Sequence, residues 1–256
     1  MVGTERGTAT RKKAKGGTRE IVPTLAWAVL IALVIRSTAF EPFNIPSGSM
    51  LPTLLIGDYL FVSKYAYGYS RHSLPLSPNL FSGRLLGQEP QRGDVVVFKW
   101  PGDDSTDYIK RLIGLPGDRI QVRDGVLYLN GEAVRREPLG VVEVGGSHGP
   151  LRGQAYREIL PGGRSYTTLD TGNTAGDNTS VYVVPPGRYF MMGDNRDDSS
   201  DSRFPLLGGV GFVPAENLVG RAEVLFFSTA GTASFWEFWN WRPDRIRFGR
   251  FFMSVK

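Results

Sequence analysis

The sequence predicts a mostly β protein preceded by one N-terminal transmembrane helix. Its 256 residues include 32 glycines and 17 prolines, and because these follow no repeat, they favour a turn-rich β fold over a helical bundle. After residue 40, short runs of β-branched and aromatic residues are separated by turn dipeptides, and no comparable helical period occurs. Before residue 40, an uncharged apolar run covers residues 21–35. The chain is long enough for one large domain or two modest ones.

The N-terminal segment has the pattern of a membrane anchor. Residues 1–20 form a polar, basic tail, and residues 21–40 form a span of about 20 residues, provided that the Arg36 side chain reaches the membrane interface. Because a basic flank stays in the cytoplasm, everything after Phe40 is expected on the outer face. A cleaved signal peptide and a buried core helix are the alternatives. Cleavage at residues 37–39 would leave no spacer before the next motif, and the basic flank disfavours a core helix.

The β pattern begins with two short runs, residues 59–62 and 95–98, each preceded by a Gly-Asp pair. Residues 120–134 are predicted to form a three-stranded meander, because Asp124-Gly125 and Asn130-Gly131 are dipeptides that favour tight hairpin turns. Further strands are expected over residues 187–192 and 220–227.

The expected organisation is a β-rich domain over residues 41–234 with a subsidiary lobe at about residues 119–185. Residues 74–90 and 140–177 are rich in Gly, Pro, Ser and Thr, which is typical of surface insertions. The tail, residues 235–256, interleaves aromatic residues with arginines. This composition suits a lipid interface, but completion of the β core by the aromatic residues explains it equally well. Single-stranded nucleic acid binds similar surfaces, although an exported domain rarely meets it.

The composition excludes several kinds of site. Since the chain has no cysteine, disulfides, thiolate nucleophiles and cysteine-ligated metals are excluded. The two histidines, His72 and His148, are far apart in sequence, which disfavours a multi-histidine metal site. The net charge of +5 comes mainly from basic residues near the two ends. This distribution favours contact with a membrane surface over contact with nucleic acid.

Two short segments carry the residues of a nucleophilic site. In the first, Ser47 and Ser49 flank Gly48 between two prolines, so the backbone is stiff on both sides and permissive in the middle. In the second, Lys110 lies in an otherwise apolar, strand-like stretch, on the same face as Tyr108. Burial lowers the pKa of a lysine, and a lysine base needs a pKa of roughly 7–8. Taken singly, the two segments also fit an ordinary loop and a surface strand.

A third segment, residues 193–203, is dense in carboxylates, amides, arginines and hydroxyls. By itself this segment is most simply a solvated loop, and a polar network around a site is the alternative. Its side-chain oxygens could also bind calcium, but the segment lacks the spacing of an EF-hand that ends in Glu.

Together with residues 92–98, the three segments resemble the motifs of the bacterial type I signal peptidases, the Ser/Lys class of membrane-bound leader peptidases. The blocks occur in the family's order, PSGSMLPTLLIGDYLFV at 46–62, RGDVVVF at 92–98, YIKRLIGLPGD at 108–118 and GDNRDDSSDSR at 193–203. The resemblance covers residue 41 to about residue 221, and it implies an all-β catalytic core with a smaller inserted β lobe. The sequence departs from the family in having one convincing span rather than two and no alignable motif over residues 135–184.

Carried over by position, the resemblance implies that Ser49 is the nucleophile and Lys110 the general base. Ser47 would join the Ser49 amide in an oxyanion hole. The residues around the base would be Ser199, which orients it by a hydrogen bond, and Asp201 and Arg203, which support that loop. The small pockets that accept Ala-x-Ala would be lined by Phe43, Ile45, Met50, Leu54, Leu60, Val97, Tyr108 and Ile109.

The implied function is removal of signal peptides from exported preproteins by an endopeptidase in the bacterial cytoplasmic (inner) membrane, with no metal or other cofactor. The expected partners are preproteins and the lipid bilayer, and not nucleic acid. A related Ser/Lys protease with a narrower task, such as pilin maturation or repressor self-cleavage, is one alternative, although the anchor argues against a cytoplasmic repressor. A non-enzymatic, membrane-tethered β domain that binds exported chains is the other.

Overall fold

The computed structural model consists of one N-terminal helix followed by β-sheets, and it describes residues 17–74, 77–146, 149–230 and 243–256. Most of the basic tail predicted over residues 1–20 lies outside these residues, as do His148 and the tryptophan-rich part of the tail predicted over residues 235–256. The fold is mostly β, as predicted. Beyond the first helix, the described residues form strands, loops and short 3-10 turns.

The helix α1 (Gly17–Thr38) is long and apolar enough to cross a membrane. Its segment Ile21–Thr38 has a mean hydropathy of 1.9, and 0% of it is buried against the described part of the chain. A helix of this length extends for about 33 Å, slightly more than the hydrocarbon core of a bilayer. The helix ends at Thr38, so Phe40, which was predicted to end the span, instead begins the first strand.

Fourteen named strands follow within the described residues. Their bounds are β1 (Phe40–Asn44), β2 (Asp58–Ser63), β3 (Val95–Lys99), β4 (Asp107–Gly114), β5 (Arg119–Arg123), β6 (Val126–Leu129), β7 (Glu132–Ala133), β8 (Arg135–Gly146), β9 (Gly149–Ile159), β10 (Ser165–Asp170), β11 (Tyr182–Val183), β12 (Arg188–Met192), β13 (Val213–Pro214) and β14 (Leu218–Ser228). The predicted strands at residues 59–62, 95–98, 187–192 and 220–227 correspond to β2, β3, β12 and β14.

A seven-stranded antiparallel sheet, in the order β1-β2-β14-β3-β4-β12-β13, carries the main core. Because successive side chains of a strand point to opposite faces, β3 contributes to an apolar cluster on each side. Val95 and Val97 belong to the cluster that contains Leu60, and Val96 and Phe98 belong to the one that contains Leu112. The sheet is therefore apolar on both faces around β3 and β4, and a side chain that projects there is shielded from water.

Two smaller sheets complete the described fold. The predicted meander is confirmed, since β5, β6 and β7 are consecutive antiparallel neighbours and β11 joins them at β5. Asp124, Gly125, Asn130 and Gly131 all have positive φ, between 47° and 90°, as the predicted hairpin turns require. The second small sheet, β10-β9-β8, was not recognised as strands in the sequence, because its glycines and exposed faces conceal the period-2 pattern.

The C-terminal residues 243–256 return along β14. The Leu225 amide donates to the Met253 carbonyl at 2.9 Å, Val255 packs against the cluster that contains Leu60, and Arg250 forms an ion pair of 2.6 Å with the buried Asp58. This part of the tail completes the β core, while Phe252 is 79% exposed. Lipid contact by the tail stays a prediction.

The hairpin turns provide a test of local stability. Gly131 has a φ of +90°, and nothing lies within 4 Å of the point that a Cβ atom would occupy, so Gly131→Ala meets backbone strain and no clash. We expect it to lower the free energy of unfolding by about 1 kcal/mol, measured on the full chain in detergent. Gly145→Ala is the matched control, because Gly145 is equally open and has no positive φ. Equal effects of the two substitutions would contradict the turn assignment.

Candidate active site

Ser49 lies in the loop between β1 and β2, and its hydroxyl meets the side chain of Lys110 from β4. The Lys110 Nζ donates a hydrogen bond of 2.6 Å to Ser49 Oγ, and Ser47 Oγ lies 3.4 Å from Ser49 Oγ. Ser49 is 8% exposed and Lys110 is 3% exposed. The two segments predicted to carry a nucleophile and a base are thus in direct contact, although they are far apart in sequence.

The surroundings of Lys110 favour its neutral form. Burial lowers the pKa of Lys110 to about 8, against the opposing attraction of Asp201, Asp194 and Asp198. Its Nζ also donates to the Ile109 carbonyl at 3.1 Å and lies 5.6 Å from the centroid of the Tyr108 ring, on the side that the strand alternation predicts. At pH 7 the neutral fraction of a lysine side chain with this pKa is about a tenth, compared with less than about 0.1% for a lysine in water.

The segment at residues 193–203 holds the serine loop in place. The backbone N–H of Asn195 donates to the Ser49 carbonyl at 3.1 Å, and its side-chain Nδ2 donates to the Gly48 carbonyl at 3.0 Å. A Cβ atom at Gly193 would overlap both Ser49 O and Ser199 Oγ, so only glycine fits between the serine loop and this segment. The sequence singled out the segment that contains Gly193 and Asn195 but not the individual roles of these two residues, because their roles depend on contacts with a distant loop.

The same segment is buried and ion-paired, so its interpretation as a solvated loop is wrong. Asp194, Asn195 and Asp201 are each 0% exposed. Asp194 accepts two hydrogen bonds from Arg111, at 2.8 and 2.6 Å, and a third from Thr53 Oγ1 at 2.6 Å, which ties it to the serine loop. Because buried polar groups of this kind need partners, these bonds make the segment a polar network beneath the site.

Two further ion pairs extend this network. Asp201 pairs with Arg203 at 2.9 Å and also accepts from the Gly193 amide at 3.0 Å. Glu158 from β9 pairs with Arg196 at 2.6 Å, which connects the smaller sheet to the site. Glu158 and Arg111 were missed in the sequence, because a single charged residue in a strand carries no signal of its distant partner.

Ser199 lies beside the Ser49–Lys110 pair but does not make the predicted hydrogen bond. Ser199, Ser49 and Lys110 line one cavity, which is described below, and within the described residues the buried hydroxyl of Ser199 has no hydrogen-bond partner. Asp201 and Arg203, predicted to support this loop, do bond the backbone around it, since Arg203 donates to the Arg196 carbonyl. A hydrogen bond from Ser199 to Lys110 stays a prediction.

A cavity of about 620 Å³, here called the active-site cavity, opens beside Ser49. Of the predicted pocket residues, five line it: Phe43, Ile45, Val97, Tyr108 and Ile109. The other three, Met50, Leu54 and Leu60, are 0% exposed and belong to the core cluster that also contains Ile45 and Val97. These three residues lie in the packed core and are not among the residues that line the cavity, and their contact with substrate stays a prediction.

Among the described residues, no group of three or more His, Cys, Asp or Glu side chains is placed to hold a metal ion. The chemistry available at this site is that of a buried hydroxyl, an amine of lowered pKa and nearby backbone amides.

The Arg111–Asp194 pair tests the importance of the buried network. Both side chains are at most 1% exposed, so Asp194→Asn leaves an uncompensated guanidinium in the interior. We expect a loss of about 3–5 kcal/mol in the free energy of unfolding, visible as a large fall in melting temperature. Glu137→Gln is the control, because its partner Arg135 is 73% exposed, and we expect a change below about 1 kcal/mol. Similar shifts for both variants would contradict the role of the network.

Comparisons with known proteins agree on one family. The sequence model of "Signal peptidase, peptidase S26" matches residues 18–227. Signal peptidase I of Rickettsia conorii is 45% identical over 215 residues, covering 80% of this chain and 78% of the relative, and that of Rickettsia prowazekii is 46% identical, covering 80% and 79%.

A solved structure, a signal peptidase I from Enterococcus faecalis V583, matches at 26% identity with a TM-score of 0.32, covering 52% of this chain and 97% of that one. The family model spans most of the chain, including all four motif blocks, and the two Rickettsia relatives each cover four-fifths of it. The chain therefore belongs to the signal peptidase I family, peptidase S26.

Proposed function

We propose that this chain is a membrane-anchored serine endopeptidase that removes signal peptides from exported preproteins, with Ser49 as nucleophile and Lys110 as general base. The observation that carries the proposal is the 2.6 Å hydrogen bond from the buried Lys110 Nζ to Ser49 Oγ. Family membership supports the reaction class, since the relatives bear the name Signal peptidase I. A binding domain without activity would have no need of a lysine whose pKa lies near 8.

In this mechanism, neutral Lys110 removes the proton of Ser49 as Ser49 Oγ attacks the scissile carbonyl carbon. The negative charge that forms on the carbonyl oxygen is stabilised by the Ser49 amide and the Ser47 hydroxyl, at about 3–4 kcal/mol for each donor. The protonated lysine then donates its proton to the leaving amine as the peptide bond breaks. Lys110 next deprotonates a water molecule, which hydrolyses the acyl-enzyme and restores both side chains.

The apolar wall beside Ser49 supports small apolar side chains before the scissile bond. Ile45 and Val97 line the cavity and are each only 2% exposed, so their side chains are closely packed and resist displacement. Alanine at the first and third positions before the cut, an Ala-x-Ala site, meets such a wall without repacking it. Because strand side chains alternate, an extended substrate presents these two positions to the same wall.

The anchor fixes where the reaction takes place. The chain between Arg36 and Ser49 reaches at most about 45 Å even when fully extended, so Ser49 stays close to the bilayer that α1 crosses. With the basic N-terminal tail in the cytoplasm, the catalytic domain lies on the outer face of the bacterial cytoplasmic membrane. There it meets preproteins whose leader is still held in the lipid.

Removal of either reacting group tests the proposal. We expect Ser49→Ala and Lys110→Met to lower kcat/KM by about 10³-fold or more, measured in detergent with a preprotein that ends its leader in Ala-x-Ala. The new N-terminus of the product, read by sequencing, gives the position of the cut. Ser165→Ala, at an exposed position of β10, is the control and is expected to retain full activity. Normal processing by either active-site variant would show that the proposal is wrong.

The pKa of Lys110 gives a second test. Because only the neutral amine accepts a proton and its pKa is about 8, activity is lost as the pH falls through this value. We expect kcat/KM to fall about tenfold per pH unit below pH 8, reaching about 100-fold below the plateau at pH 6. Circular dichroism at each pH shows whether the fold persists. A rate that stays constant down to pH 4 in folded enzyme would exclude a lysine base.

A further inference from the structure

A second cavity, on the side of the anchor helix, adjoins the active-site cavity. This charged cavity has a volume of about 410 Å³ and shares Phe43 and Asp107 with the first. Along one wall, every second residue of the chain lines a cavity, and the polarity changes from the apolar Ile45 and Phe43 to the charged Glu41. The two cavities are therefore adjacent, and together they are called the groove; its walls at these positions are apolar next to Ser49 and charged farther away.

The opposite wall shows the same change in polarity. The cross-strand pair of Val97 and Ile109 lines the apolar part, and the next pair on that face, Lys99 and Asp107, lines the charged part. Lys99 Nζ lies 2.9 Å from Asp107 Oδ1, with side chains 17% and 38% exposed. Both walls change next to the residues that the two cavities share, Phe43 and Asp107, so an extended peptide crosses from an apolar to an ionic environment within about two residues.

Three more ion pairs surround the charged cavity. Lys64 and Arg36 both bond Glu41, at 2.8 and 2.7 Å, and Lys64 Nζ also donates to the Ser73 carbonyl at 2.7 Å. Arg71 pairs with Asp104 at 2.7 Å. These charges are held in place and partly shielded. A chain lying over them must either supply hydrogen-bonding groups or cover the ion pairs with apolar surface at a cost in free energy.

The position of Arg36 gives the direction of the groove. Arg36 is in the last turn of α1 and lines the charged cavity, so this end of the groove is the one nearest the bilayer. A leader whose apolar segment is still in the membrane enters from this end. Glu41 is four residues from Ile45 in extended chain, which is about 13 Å. Residues at about the fourth to seventh positions before the scissile bond would therefore lie over the charged cavity.

We infer that the charged cavity is a binding subsite for a polar segment of the leader, between its apolar part and the cleavage site. The subsite accepts polar side chains and rejects apolar ones, and so it keeps the apolar part of the leader out of the groove and sets which peptide bond reaches Ser49. This inference rests on the proposed function, because it assigns a specificity to the same groove.

The test combines substrate and enzyme variants. Two preproteins carry either three serines or three leucines at the fifth to seventh positions before the cut, and kcat/KM is measured for both with the full-length enzyme. We expect the serine form to be favoured by about tenfold or more. In Lys99→Met/Asp107→Leu, which replaces an ion pair of the subsite by apolar side chains, we expect this ratio to fall to about threefold or less.

Arg135→Met/Glu137→Leu removes an ion pair on β8, away from the groove, and is expected to keep the wild-type ratio. Each ratio comes from one enzyme preparation, so partial unfolding lowers both rates and leaves the ratio intact. A wild-type ratio near one, or a leucine penalty that persists in Lys99→Met/Asp107→Leu and so originates in the bilayer, would overturn the inference. Loss of the proposed function is distinguishable, because the serine preprotein would then not be cleaved at all.

Discussion

The arrangement of the site depends on lowering the pKa of one buried amine inside a region that also contains several carboxylates. Burial lowers the pKa of Lys110, but Asp201 and Asp194 pull it upward. Each of these carboxylates is paired with a buried guanidinium, Asp194 with Arg111 and Asp201 with Arg203. Because the guanidinium charges oppose the attraction that the carboxylates exert on Lys110, the ion pairs let this segment order the site while leaving the lysine with a pKa of about 8.

The sheet order brings these groups together. β4 carries Lys110 and Arg111 on opposite faces, so that one residue contacts Ser49 and the next contacts Asp194. Asp194 in turn bonds Thr53, and Asn195 bonds the Ser49 and Gly48 carbonyls. The serine loop is thus held by the strand that carries Lys110 and by the segment that follows β12. Misplacement of any one of these elements would move Ser49 away from Lys110.

Features that depend on local chemistry could be predicted from the sequence. The meander follows from two dipeptides that tolerate positive φ, and the membrane helix follows from composition and length. Contacts between distant segments could not be predicted in this way. The burial of Asp194, the pairing of Glu158 with Arg196 and the close packing of Gly193 all require the folded sheet. The three core residues Met50, Leu54 and Leu60 illustrate the same limit, because an apolar residue near a nucleophile can equally line a pocket or fill the core beneath it.

The contacts at the end of α1 also join the anchor to the groove. Arg36 bonds Glu41, Glu41 bonds Lys64, and Lys64 bonds the Ser73 carbonyl, so the point where the chain leaves the helix is held against the wall of the charged cavity. A flexible tether would let the site approach any peptide bond within its reach. A fixed exit instead places Ser49 at a constant distance from the helix end, so in the proposed enzyme the position of a peptide bond relative to the membrane contributes to the choice of bond together with side-chain size.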